Sequence, residues 1–261
     1  MTSRTKHGMI AALGTFAILA STASQVHAAE AERTAAAYSD PAATPAAYAN
    51  YLRSSHEEGA AEALKGFQAL TQAEQNKFID HLHDPALLKS ILTKASDQGT
   101  AAPTSSRNAS STTALNNGEV TIEQERTTTG RSARAAVLPK GNHTVTYNTY
   151  VKFFGVKIIK LSLWVNFHSN GRDITKVNSA DAGKRNLSGV ISLTKSVPKK
   201  SLSNWRFCEP GKPCRSGHNA DASVIWEGSV VYQGSTFQVD KKQWMRANVY
   251  GKVTDYYLRN V

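Results

Sequence analysis

Between Cys208 and Glu227 lie several residues able to do chemistry: two cysteines, Arg215, His218, Asp221 and Glu227. A histidine with two carboxylates is the raw material of acid–base catalysis, in which a positioned side chain moves a proton. The plainer reading is a polar loop, His218-Asn-Ala-Asp221, leading into a strand over 223–232. His143, His168 and His218 form a second set, since imidazole is the commonest metal ligand. Their spacing fits no metal motif, and His168 falls on the wet face of its strand, so neither a metal nor another cofactor is expected. Gly-x-Ser-x-Gly, His-Glu-x-x-His and phosphate-loop patterns do not occur in the chain. The sequence therefore reads as a binding protein rather than an enzyme, with a hydrolase built on His218, Asp221 and Glu227 as a rival.

Cys208 and Cys214 are the only cysteines, and Pro210-Gly211 places a turn between them. A pair this close, in an oxidising compartment, is expected to form a local disulfide. Closing so short a loop contributes roughly 2 kcal/mol by the chain-entropy estimate. The spacing is not that of a Cys-x-x-Cys redox motif, and His218 alone does not complete a zinc site.

The basic residues point more directly to a role. Residues 120–261 hold 22 Lys/Arg against 9 Asp/Glu, whereas residues 29–119 hold 7 against 11. Aromatic residues, among them Tyr150, Trp164, Trp205, Phe207, Trp244 and Tyr250, are interleaved with the lysines and arginines. Cations beside exposed rings suit a polyanion or an acidic glycan, through charge attraction and stacking. Lysines on edge strands also guard against aggregation, so a merely solubilised surface is the competing account. Trp205, Arg206, Phe207, Lys212 and Arg215, on or beside the cysteine loop, are the expected binding residues. The expected partner is an anionic polymer or cell-surface component: a cell-wall polymer, an acidic glycan or lipid headgroups. Nucleic acid is physically acceptable but less natural outside a cell.

Those residues need a frame, and the punctuation of the chain supplies one. Arg4 and Lys6, an apolar run over 9–20, and Val26-His27-Ala28 have the layout of a secretory signal peptide cleaved after Ala28. No later stretch approaches the roughly 20 apolar residues of a membrane span, so a secreted, extracellular or periplasmic protein is expected. A flexible alanine-rich leader over 29–43 precedes a helical segment over 44–96. Its four starts are Thr44-Pro45, a capping box at Ser55–Glu58, another at Thr71–Glu74, and Asp84-Pro85. Residues 97–137 read as a linker, with Val120–Arg126 as an edge strand. From 138 the apolar period falls from about 3.6 to 2, most clearly over 159–167. Further strands are expected at 174–177, 189–193, 223–232, 236–239, 247–253 and 256–258, with Gln233-Gly234-Ser235 as a hairpin loop.

The fold class is thus mixed and mainly all-β: a helical segment, a linker and a C-terminal antiparallel sandwich or barrel-like domain over 138–261. Two alternatives to the surface-binding module remain. One is a precursor, cut near Arg131–Arg134, that releases an antimicrobial or toxin-like β-protein from an acidic pro-segment. The other is the hydrolase.

Overall fold

The computed structural model describes residues 40–97, 109–129, 137–208, 210–211, 213–232 and 235–261. The expected signal peptide, residues 29–39 of the expected leader, the expected cleavage region at Arg131–Arg134, Lys212 and Gln233-Gly234 lie outside them.

Among the described residues, local side chains start three of the four helices. Thr44 Oγ1 accepts the Ala47 N–H at 3.1 Å, and Pro45 occupies the first position of α1 (Pro45–Ser54). The start of α2 (Ala60–Gln68) departs from expectation. Ser55 accepts only the Glu57 N–H, and the helix begins at Gly59, whose φ of 79° is a left-handed conformation that glycine tolerates. Thr71 and Glu74 form the reciprocal capping box of α3 (Gln72–Leu82). Asp84 Oδ1 accepts the N–H groups of Ala86 and Leu87, at 2.9 and 3.0 Å, to open α4 (Pro85–Asp97). The end of the leader is also built in. Asp40 bonds the Ala42 N–H and the His83 ring, and Ala42 is fully buried.

Two antiparallel five-stranded sheets follow. The first runs in chain order: β1 (Ala109–Leu115), β2 (Val120–Thr129), β3 (Gly141–Phe153), β4 (Val156–Ser169) and β5 (Ile174–Asn186). The second comprises β6 (Ile191–Lys195), β7 (Lys199–Phe207), β8 (Arg215–Tyr232), β9 (Ser235–Ala247) and β10 (Val253–Asn260). Its order is β10-β9-β8-β6, and β7 continues alongside β8 where β6 stops. The sheets pack face to face into a sandwich-like core, with Tyr147 and Tyr256 meeting across it at 4.7 Å.

Three strand expectations change. The stretch over 120–126 is not an edge strand: β2 pairs with β1 on one side and β3 on the other. The edge is β1, within what reads as linker, and Asn116-Asn117-Gly118 turns it back with positive φ at all three residues. The strand expected over 247–253 is instead a turn. Asn248 Oδ1 accepts the Tyr250 and Lys252 N–H groups there, between β9 and β10.

Helices and sheets share one hydrophobic core. Tyr48 of α1 packs edge-on to Phe67 of α2, Phe78 of α3 meets Phe153 of β3 at 5.5 Å, and Tyr48 donates its hydroxyl proton to the Leu187 carbonyl at 2.7 Å. Burying each such side chain contributes about 1.5–3 kcal/mol before entropy costs. The core they form holds the outer surface of the second sheet in place.

Candidate functional site

Alternation along β8, β9 and β10 sends even residues of β9 outward and odd ones inward: Lys241, Gln243, Met245 and Ala247 are buried, while Lys242, Trp244 and Arg246 are half-buried. Register places Trp244 between Ser223 of β8 and Tyr257 of β10, and Ser223 in turn opposite Lys199 of β7. The adjacent rows are Ser201–Asp221–Arg246–Asp255 and Ile225–Lys242–Arg259.

These rows form a strip of rings and cations. Trp244 stacks on Tyr257 with centroids 5.1 Å apart and planes 20° from parallel. Arg246 lies over Trp244 at 5.1 Å, and Arg259 over Tyr257 at 4.0 Å. Asp221, whose side chain is only 8% exposed, accepts two hydrogen bonds from Arg246, at 2.8 and 2.9 Å. That fork fixes the guanidinium plane, and the Asp221 hydrogen bonds push Arg246 further above its ordinary range. An arginine uses five N–H donors, so three on Arg246 remain beyond those given to Asp221. Stacking on the rings already restricts both guanidiniums, leaving less freedom to lose on meeting a carboxylate or phosphate. One row beyond Lys242, Glu227 and Asp240 reverse the charge and bound the strip.

The expected binding residues occupy the far end of β7 and β8. Phe207 pairs with Arg215, which lies over its ring at 5.6 Å, and Phe207 is 51% exposed. Arg206 reaches Cys214 Sγ, and the Cys208–Cys214 disulfide closes the hairpin. Trp205 sits lower, its indole nitrogen crowding Gly217 so that any β-carbon there would lie 2.9 Å away. Four of the five residues are therefore brought onto one ribbon; Lys212 lies outside the described residues.

The expected loop over 218–221 is strand, part of the long β8, and it divides the proposed hydrolase residues. His218 pairs with Asp173 from the β4–β5 turn, Asp221 with Arg246, and Glu227 accepts the Thr194 hydroxyl at 3.2 Å. The His218 N–H and ring Nδ1 both meet the Asp173 carboxylate, at 2.8 and 2.6 Å. Burial works to raise that carboxyl, but its hydrogen bonds from His218 and Ile174 outweigh burial and hold it below the usual carboxylate range. The other two histidines have separate partners: His143 bonds the Pro139 carbonyl and His168 the Asn142 amide.

Tyr257 and Arg259 carry no signal in the sequence, Asp221 stands there only as a hydrolase candidate, and Trp244 only as one of the rings interleaved with cations. The only local signal is the alternation Lys242-x-Trp244-x-Arg246, and the other members join it through strand register. Comparison with protein-family models, curated proteins and solved structures returns no match for this chain.

Proposed function

We propose that the chain is a secreted binding module that docks an anionic polymer or surface on the outer face of its second sheet. The observation that carries this reading is the Trp244–Tyr257 stack with a guanidinium over each ring. The rings would lie along an acidic glycan or wall polymer while Arg246, Arg259, Lys242 and Lys199 meet its charges. The Phe207–Arg215 pair at the disulfide-closed tip repeats the ring-and-cation arrangement and would extend the contact. Export is supported by the signal-like N-terminus and by the disulfide. Among the described residues no helix is long and apolar enough to cross a membrane.

The shared core speaks for the intact chain rather than a released β-protein, because removing the helices would expose Phe153 and Val156. The hydrolase reading has lost its proposed triad, since each member is engaged elsewhere.

Co-sedimentation of the secreted chain with polygalacturonate and with anionic vesicles tests the reading. Arg259→Ala and Trp244→Ala are each expected to weaken binding about tenfold, a loss of about 1.4 kcal/mol. Raising salt from 0.1 to 1 M should weaken it similarly or more. Binding that is indifferent to both variants and to molar salt would overturn the proposal.

A further inference from the structure

Away from the outer strip, a pocket of about 290 Å³ opens between the start of α2 and the β3–β4 turn. Gly59, Glu62 and Gly66 line it from the helix, and Phe154, Lys157 and Arg185 from the first sheet. That volume stands at the lower end of ligand pockets, which run from about 300 to 1,000 Å³.

Three features of the pocket favour a negative charge. The first is Arg185, which is only 7% exposed. Its Nη1 donates to the Glu58 carbonyl at 3.3 Å, but no carboxylate pairs with the side chain among the described residues. Its Nε is enclosed without a partner, whereas Nη2, also without a protein partner, keeps open surface. A buried charge held by one neutral acceptor is costly, and an anion relieves that cost. The second feature is the start of α2. Gly59 has no side chain to cap the helix, so its first N–H groups lack the acceptor that Thr71 gives α3. The Arg185 guanidinium occupies the place a β-carbon at Gly59 would take, so the cation and the positive helix end meet at one spot. The third is Lys157, whose Nζ lies 5.2 Å from the Tyr150 ring centre and has no carboxylate partner among the described residues.

The nearby carboxylates are engaged or stand at the mouth. Glu125 accepts the Tyr150 hydroxyl, Glu123 pairs with Lys152, and Glu62 is exposed on the pocket wall. Glu62 opposes a doubly charged ligand but can accept hydrogen bonds from hydroxyl groups. Phe154, stacked on His81, adds an apolar wall.

We infer that this pocket binds a small hydroxylated monocarboxylate, with a single uronic acid as its model. The carboxylate meets Arg185 Nη2, Lys157 and the start of α2. The hydroxyls face Glu62, and the carbon skeleton rests against Phe154. The site is separate from the outer strip and does not depend on polymer binding there.

The test titrates the full secreted chain, carrying Arg259→Ala to weaken the outer strip, with galacturonate, galactose and inorganic phosphate by calorimetry. Galacturonate is expected to bind saturably and to raise the melting temperature, with galactose and phosphate at least tenfold weaker. Arg185→Met keeps the apolar stem, removes the charge and should abolish both effects. Should that variant fail to fold, Lys157→Ala and Glu62→Gln, both at the mouth, carry the test. Lys157→Ala should weaken galacturonate several-fold, and Glu62→Gln should narrow its advantage over phosphate. Galactose binding as tightly as galacturonate would overturn the inference, as would affinity indifferent to Arg185→Met or to Lys157→Ala. Phosphate binding as tightly as galacturonate would overturn it too, since the pocket would then take any oxyanion. Absence of binding at millimolar galacturonate would also overturn it, and would mean that solvent alone satisfies Arg185.

Discussion

Lys241 and Lys242 are neighbours in sequence and occupy opposite worlds. Lys242 stands on the outer face beside Ile225 and Arg259, in contact with water. Lys241 is 2% exposed, inside the sandwich with Gln243 and the Arg126–Tyr256 pair. The same division holds for two tryptophans of the second sheet, Trp226 and Trp244. Trp226 is buried and donates its indole proton to Gln243 at 2.9 Å, whereas Trp244 stacks in the open strip. Cations and rings therefore occur on both faces, and burial decides what they can do. Outside, salt screens them and they can exchange partners with a polymer; inside, each charge and donor has to be matched by something that stays.

The largest difference between the faces should appear when each loses its tryptophan. Trp226→Ala is expected to cost about 3–5 kcal/mol, because it opens a cavity and strands the Gln243 oxygen. Trp244→Ala gives up a stacked pair and a cation contact at the surface, about 1–1.5 kcal/mol. Urea denaturation of the two variants measures both, and similar costs would mean that the faces are not distinct environments.

Within the outer strip, the two arginines separate next. Arg246→Ala leaves the Asp221 carboxylate, buried on its own strand, without its two charged donors, and should cost about 2 kcal/mol. The guanidinium is about one-third exposed, so the loss stays below that of breaking a fully buried pair. Arg259→Ala removes an exposed side chain and should change stability by no more than about 0.5 kcal/mol. If Arg246→Ala proved as mild as Arg259→Ala, Asp221 would not be the anchor that orients the strip.

How much of this was legible in the chain depends on how local each feature is. The caps at Thr44, Thr71 and Asp84 act within three residues, so they read directly. Ser55–Glu58 had the same letters, but Gly59 redirected the chain before a box could close. Strand β1 was hidden because Ala-Ser-Ser-Thr-Thr-Ala-Leu has little apolar content; its backbone pairs with β2 at a sheet edge without needing a buried face. Its signal was Asn117-Gly118, a hairpin turn pair read only as linker composition. The hairpin carrying Trp205, Phe207 and Arg215 was legible as a neighbourhood because the disulfide makes it one. The strip was not, since it assembles residues 221, 244, 246, 257 and 259 from three strands. The interior donors were least visible: Gln124 and Arg126 continue the alternation of Val120 and Ile122, and nothing in the letters says that polar residues there face inward.

The smallest of these differences concerns the join between the two sheets. The residues of β8 before Ala220 extend beyond their partner β9, and Asp173 of the first sheet accepts the His218 N–H that this open edge presents. The carboxylate is held below its usual range, so it is more acidic in the folded chain than in the unfolded one, where it titrates near 3.9. The folded state then binds fewer protons, and the contribution is complete above the unfolded value and disappears as pH falls through the lowered folded value. Asp173→Asn should therefore be less stable than the parent by about 1 kcal/mol at pH 6, with the gap narrowing progressively below about pH 4. Paired urea titrations at pH 6, 4 and 3 measure it. The difference should leave the polymer binding proposed for the outer strip unchanged at pH 6, because Asp173 holds the β8 edge through His218. A gap that stayed constant with pH would assign the cost of the variant to shape rather than to charge.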